Sequence, residues 1–264
     1  MAVEPTPAIV GAMYDCYSKI FADMLGGYIH LGYWEDPNKH ETPEVVADRM
    51  TLKVGERLSP ARGQRILDVG CGTGKTTMQI ATTYDVHVTG ITVSHHQIEL
   101  AQAKYKSGEN SGEVRFEFAN AMELPYPDVS FDGAYAIESF LHMNDRLKAM
   151  QHISRVLRPG SRLIIADLYL DRPCPESKAM ALYYEMFKLV TLPTGDDLQN
   201  FLQLAGFKVL DFTDIRANIL PSTKLLAESG KSVGGEEGQK FLELASGLEE
   251  LKELGYALIT AERI

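Results

Sequence analysis

Nine consecutive residues constrain this chain more than any others: Ile66-Leu67-Asp68-Val69-Gly70-Cys71-Gly72-Thr73-Gly74. A β-favouring run feeds straight into three glycines at alternate positions, and a helix-like segment follows from Lys75 to Thr83. The order is strand, tight turn, helix N-terminus, which lets a backbone come close to a ligand. Glycine removes the Cβ and permits positive φ. Several readings of such a turn compete. A dinucleotide fingerprint needs G-x-G-x-x-G, and here the third glycine comes one residue early. A phosphate loop could end in Gly74-Lys75-Thr76, with Leu163–Asp167 as its second strand, but its first glycine would fall on Val69. A purely structural turn is the remaining alternative.

Downstream, strands read at Arg65–Val69, His87–Thr92, Val114–Ala119, Phe131–Ile137 and Arg162–Leu168, with helical segments between. That alternation predicts an α/β fold with a mostly parallel sheet covered on both faces. Helix spacing also runs from Ile9 to Leu25 and from Thr42-Pro43 to Leu58. In the second half, helices are expected over Pro175–Val190 and Thr194–Leu204, and a strand over Phe207–Ile215. A helical stripe follows at Phe241, Leu244, Leu248 and Leu251, then a closing apolar run at Tyr256–Ala261. Ser229–Gly238, rich in Gly and Glu, reads as a mobile loop.

Composition narrows the function classes. A length of 264 residues suits one large α/β domain. A net charge of −10 without a basic stripe argues against a nucleic-acid substrate. No apolar run approaches a membrane span, so a cytoplasmic protein is expected. Cys16, Cys71 and Cys174 are odd in number and far apart, which fits reduced thiols and no metal site.

The stretch Ile66–Gly74 resembles motif I, hhDhGxGxG, of the class I S-adenosylmethionine (SAM)-dependent methyltransferases. The resemblance extends from about Tyr14 to Arg263 and implies a Rossmann-like, seven-stranded, mostly parallel sheet with helices on both faces and a helical lid. It also implies SAM as cofactor and S-adenosylhomocysteine as product. On this reading residues 1–60 cover the SAM site, 61–170 form the SAM-binding core, and 171–206 with 216–254 form the substrate lid. The implied partner is a small-molecule methyl acceptor; a homo-oligomer is left open.

The family's motifs then place candidate residues. Asp68, Gly70, Cys71 and Gly72 belong to the cofactor loop. After the second strand most relatives carry an acidic ribose ligand, where this chain has Thr92. A subset reading GIT-x-S-x-x-Q uses glutamine instead, which matches Gln97. The competing reading makes Ser94-His95-His96-Gln97 a capping box, with Gln97 reaching back to the Ser94 amide. Asn120-Ala121 replaces the family's Asp-Ala beside adenine; an amide oxygen can still accept that bond. Tyr14, Tyr33 and Trp34 are candidates to close over the sulfonium end, since aromatic faces attract cations. Each aromatic is equally readable as core.

Methyl transfer needs alignment and, for many acceptors, a base. Glu138 and His142 follow the fourth strand and Asp167 ends the fifth, at the ligand-binding edge of such a sheet. Histidine ordinarily titrates near neutrality, the range a proton collector needs. If the segment is helical, Glu138 and His142 share one face and the carboxylate favours the imidazolium. The resemblance therefore implies O-, N- or C-methylation of a small natural product, aromatic, indole-like or terpenoid. A non-catalytic SAM-binding protein is the alternative. Met180, Tyr183, Tyr184, Met186 and Phe187 in the insert suggest an apolar acceptor pocket, or simply core.

Overall fold

The computed structural model describes residues 5–105, 113–173 and 178–264. Cys174 and the start of the Pro175–Val190 insert lie outside them. Helices α1 (Pro7–Met24) and α2 (Pro43–Leu58) precede a seven-stranded sheet. Thr6 and Thr42 cap them, each with a proline at the first helical position, where the missing N–H costs nothing. The strands are β1 (Arg65–Val69), β2 (His87–Thr92), β3 (Val114–Phe118), β4 (Phe131–Ile137), β5 (Leu157–Leu170), β6 (Phe207–Asp214) and β7 (Leu254–Arg263). Their spatial order is β3-β2-β1-β4-β5-β7-β6, with β7 antiparallel to both neighbours and the other pairings parallel.

Helices α3 (Lys75–Tyr84), α4 (His95–Lys104) and α5 (Arg146–Val156) connect the parallel strands. The central strands are buried on both faces. Ile66 and Ile164 join the core shared with α2 and α3, while Leu67, Leu163 and Ile165 join the core shared with α5 and α7 (Gly195–Leu204). That is the period-two pattern of a strand, and it explains the near-continuous apolar runs read in the sequence.

Two expectations change. The fifth strand begins at Leu157, five residues before the expected start, with a register shift opposite Phe131–Gly133 where Gly160 takes φ +79°. Ser229–Gly238 is not a loop. It is the end of α9 (Ser222–Val233) and the beginning of α10 (Gly235–Glu250), joined at Gly234 with φ +67°. The glycines there mark a helix-to-helix corner. With α6 (Lys178–Phe187), α9 and α10 pack as a helical cluster. In the expected stripe of α10, Phe241, Leu244 and Leu251 are buried; the Leu248 side chain lies outside the description.

α1 is seated on the carboxyl edge of the sheet. Gly11 makes the seat possible, because a Cβ there would lie 2.2 Å from the Val93 carbonyl oxygen. Gly11→Ala should therefore destabilise the fold by about 1–3 kcal/mol through overpacking, read as a lower urea midpoint with an unchanged slope.

Candidate active site

The glycine turn after β1 is held by β2: the amides of Gly70 and Cys71 both donate to the Ile91 carbonyl, each at 2.9 Å. Gly70, Gly72 and Gly74 all adopt positive φ, at +92°, +53° and +82°. At Gly70 the glycine is also sterically required, since a Cβ would lie 2.5 Å from Cβ of Ser139. The Cys71 thiol is free and buried.

Asp68 lies beneath this turn. Its Oδ2 accepts from Thr77 (2.6 Å) and Tyr135 (2.8 Å), tying β1 to α3 and β4. Burial pushes its carboxyl up to about 6. Asp68 faces a smaller cavity of about 310 Å³ under the loop rather than the main cleft.

Lys75 ends the phosphate-loop reading. Its ammonium donates to the Gly26 carbonyl (2.8 Å), pairs with Glu44 and stands 4.4 Å over the Tyr28 ring. It is tied to the segment after α1, not presented to an anion in the loop.

The main cleft lies at the carboxyl ends of β1, β2 and β4, where an open α/β sheet takes its ligands. Gly70, Gly72, Thr92, Gln97, Asn120 and Ala121 line it, and so do Tyr14, Glu138 and His142. The Thr92 hydroxyl donates to Gln97 Oε1 (2.6 Å), and Gln97 Nε2 donates to Ser18 (3.1 Å) on α1. Only half of the expected capping box forms. Ser94 accepts from the Gln97 amide (3.1 Å), but the Ser94 amide donates to Thr92 (3.2 Å), so the Gln97 side chain is released from capping. Asp15 of α1 takes the second capping duty, accepting from the Ser94 hydroxyl (2.6 Å) and the His96 amide (3.1 Å). Asn120 Oδ1 accepts from the Met122 amide (3.0 Å) and starts the 3-10 turn Ala121–Glu123.

Asp15 and Ser18 were not legible as site residues. Their only sequence signal is the helical spacing 11, 14–15 and 18, which places them with Gly11 and Tyr14 on one face.

Tyr33 is not brought to the cleft. Its amide is bonded to Val46 (2.8 Å) and its ring lies under the Lys53 ammonium, on the α2 side. Trp34 is buried with its indole N–H on Ser222 (3.0 Å), a tether to α9.

After β4 the backbone turns sharply. Glu138 sits at φ +48°, and a 3-10 turn, Phe140–His142, follows. The expected helical pairing of Glu138 with His142 does not form, because the left-handed residue breaks the helix between them. Glu138 Oε1 instead accepts from the Leu31 amide (2.8 Å) and the Tyr256 hydroxyl (2.9 Å). Burial, opposed by these bonds, pushes its carboxyl up to about 8. Nε2 of His142 is 2.7 Å from the Tyr14 hydroxyl. Burial pushes the imidazole down to about 3, so it stays neutral through the physiological range rather than titrating there. Asp167 lies below the turn, accepting from the amides of Leu141 (3.2 Å) and Leu168 (2.8 Å), and burial raises it to about 7. Its carboxylate supports the segment that carries His142.

The Methyltransferase domain family model matches residues 67–165. The chain is 61% identical over 261 residues to "O-methyltransferase cnsE" of Penicillium expansum, covering 99% of this chain and 94% of that one. It is 57% identical to "O-methyltransferase resE" of Aspergillus sclerotiorum, with both chains covered in full. Among solved structures, that of the [4+2]-cyclase SpnF superposes with a TM-score of 0.84 at 32% identity, covering 100% of this chain and 98% of that one.

The chain belongs to the class I SAM-dependent methyltransferases. It is a methyltransferase of the natural-product type and SAM is its cofactor. The site of this methyltransferase fits that group on its own geometry. The left-handed glycines let a ligand approach the backbone, and Gly70 and Gly72 line the cleft. No helix among the described residues is long and apolar enough to cross a membrane.

Two expectations can be measured on the cofactor site. Gln97→Ala and Asn120→Ala should each weaken S-adenosylhomocysteine binding by about 1 kcal/mol, the usual worth of one hydrogen bond, in calorimetric titration. Gln97→Ala should also lower the melting temperature, because Thr92 and Ser18 lose their partner. The second concerns pH. Asp68, Asp167 and Glu138 keep their protons in the folded state to about 6, 7 and 8, above the ordinary carboxylate range near 4. The folded state therefore binds more protons than the unfolded one between those values. Their contribution to stability is full below about pH 4 and is lost as pH rises through 6 to 8. Denaturation of the cofactor-free enzyme should show this decline, and Glu138→Gln should flatten its upper part.

Proposed function

We propose that this methyltransferase transfers the SAM methyl group to a hydroxyl oxygen of a small, largely apolar secondary metabolite, and that His142 takes the hydroxyl proton. The observation that carries the reading is the position of His142 Nε2. It lines the same cleft as the glycine turn, at the carboxyl end of β4, and already stands 2.7 Å from a hydroxyl. Support also comes from the two fungal relatives, both of which bear the name O-methyltransferase. Val10, Ile29, Met122 and Met143 line the cleft, which suits an apolar acceptor, whereas Met180, Tyr183, Met186 and Phe187 belong to or pack against the core.

SAM, when bound, supplies an electrophilic methyl on a positively charged sulfur. Gly70 and Gly72 would admit its amino-acid end, Gln97 and Thr92 its ribose, and Asn120 with Ala121 its adenine. His142, kept neutral by burial, offers a lone pair to the acceptor O–H. Arg146 donates to the Phe140 carbonyl (3.0 Å) and Asp167 accepts from Leu141, so the turn carrying the imidazole is fixed from both sides. Burial excludes water from competing for the methyl group.

The test is incubation with methyl-labelled SAM and a panel of phenolic, terpenoid and indole compounds bearing free hydroxyls. The label should appear as a methoxy group, with one S-adenosylhomocysteine per product. Conversion of a compound without loss of the SAM methyl would instead align the protein with its cyclase neighbour. His142→Ala should reduce turnover about 10²- to 10⁴-fold, the usual worth of a positioned base, with S-adenosylhomocysteine affinity unchanged. Full activity in that variant would show that alignment alone carries the reaction.

A further inference from the structure

A second hollow lies beside the main cleft. Leu168, Ile219, Leu220 and Leu254 form its aliphatic wall, and Tyr183 of α6 and Tyr256 of β7 border it. Leu168 lies near the end of β5, Leu254 begins the antiparallel β7, and Ile219 ends the short helix α8 (Arg216–Ile219). The hollow therefore sits at the same carboxyl edge of the sheet as the cleft, the edge where such a sheet takes its ligands. One carboxyl joins the two spaces. Glu138 lines the cleft, and its Oε1 accepts from the Leu31 amide and the Tyr256 hydroxyl, two residues of the hollow's wall.

The polar groups around the hollow differ in one respect. The Tyr256 hydroxyl donates to Glu138 (2.9 Å) and to the Ala166 carbonyl (3.3 Å). The Thr223 hydroxyl donates to the Leu220 carbonyl (2.6 Å), and Arg216 Nη1 donates to the Lys252 carbonyl. Tyr183 is only 8% exposed, yet its hydroxyl has no hydrogen-bond partner among the described residues. Its ring is held edge-on against Phe187, centroids 5.1 Å apart at 60°. A buried hydroxyl left unpaired costs free energy, so the site lacks a partner that a ligand would bring. Burial, then the carboxyls of Glu138 and Asp167, hold this phenol well above its ordinary value. It stays an O–H and acts as a donor.

We propose that the hollow takes the body of the methyl acceptor, and that Tyr183 donates a hydrogen bond to an oxygen of the acceptor other than the one methylated. The apolar body packs between Leu168, Ile219, Leu220 and Leu254, and the reacting hydroxyl meets the cleft beside Glu138. The acceptor is thereby an apolar compound with at least two oxygen functions: the hydroxyl that receives the methyl group, and a carbonyl, ether or second hydroxyl bound by Tyr183. The inference rests on the reading of the protein as an O-methyltransferase of a small apolar metabolite.

The experiment uses the full-length protein saturated with S-adenosylhomocysteine and carbon-13-labelled in its Ile and Leu methyl groups. The probes are tetralin, which has no oxygen, and 1-tetralone, which adds one carbonyl. Both should give intermolecular NOEs to the methyl groups of Leu168, Ile219 and Leu254. Tyr183→Phe should weaken 1-tetralone about five- to tenfold, the usual effect of one lost hydrogen bond, and leave tetralin within about twofold. Leu220→Trp, which places a large ring in the hollow, should abolish binding of both while S-adenosylhomocysteine affinity is unchanged. If that variant does not fold, the Tyr183→Phe comparison decides. Equal losses of both probes in Tyr183→Phe, or no loss of either, overturn the role of Tyr183. NOEs confined to Val10 and Ile29 in the cleft, or no NOE from either probe, overturn the hollow as the acceptor site. S-adenosylhomocysteine has no methyl group to give, so these readouts are independent of turnover. Failure here is therefore distinct from failure of the O-methylation reading, which methyl-labelled SAM decides.

Discussion

The site depends on one steric allowance: position 70 has no Cβ. Ser139 fills that space, with its Cβ where the missing atom would collide and its hydroxyl donating to the Val69 carbonyl at 2.6 Å. The ends of β1 and β4 are thereby locked together. One end starts the glycine turn; the other starts the sharp bend through Glu138 that delivers His142. The glycine turn and the turn that carries His142 are thus set by one contact, and a side chain at position 70 would separate them.

Burial of polar groups is the second constraint. Asp68, Glu138 and Asp167 are each removed from water and each anchored by protein donors. Buried polar groups are tolerable only when so paired. The pairing fixes the strand ends rigidly, at the expense of carboxyls that hold their protons well above the ordinary range. His142 is shifted the opposite way for the same reason, because its charged form is the one that burial penalises.

Much of this was legible in the sequence because it is local. The alternation of β-favouring runs with helical spacing placed the sheet, since each period reports a neighbouring packing face. The tight turn at Gly70, Gly72 and Gly74 was legible too, since only glycine tolerates those φ values cheaply. What the sequence did not disclose is long-range. Asp15 and Ser18 look like ordinary helix-surface residues until α1 is docked on α4. Tyr33 sits in a promising motif, but the backbone bond to Val46 turns its ring towards α2. The pairing of Glu138 with His142 failed on a single left-handed residue, which four-residue spacing cannot reveal. The helical corner at Gly234 was hidden because glycine-rich composition suits a loop and a helix junction alike.

The central claim is that one cleft holds the cofactor beside His142. A crystal structure of the enzyme with S-adenosylhomocysteine tests it most directly. The account predicts the glycine turn against the homocysteine end, Asn120 beside the adenine, and the sulfur on the Glu138–His142 side of the cleft. Ligand density outside this cleft, or a sulfur facing away from His142, would contradict it.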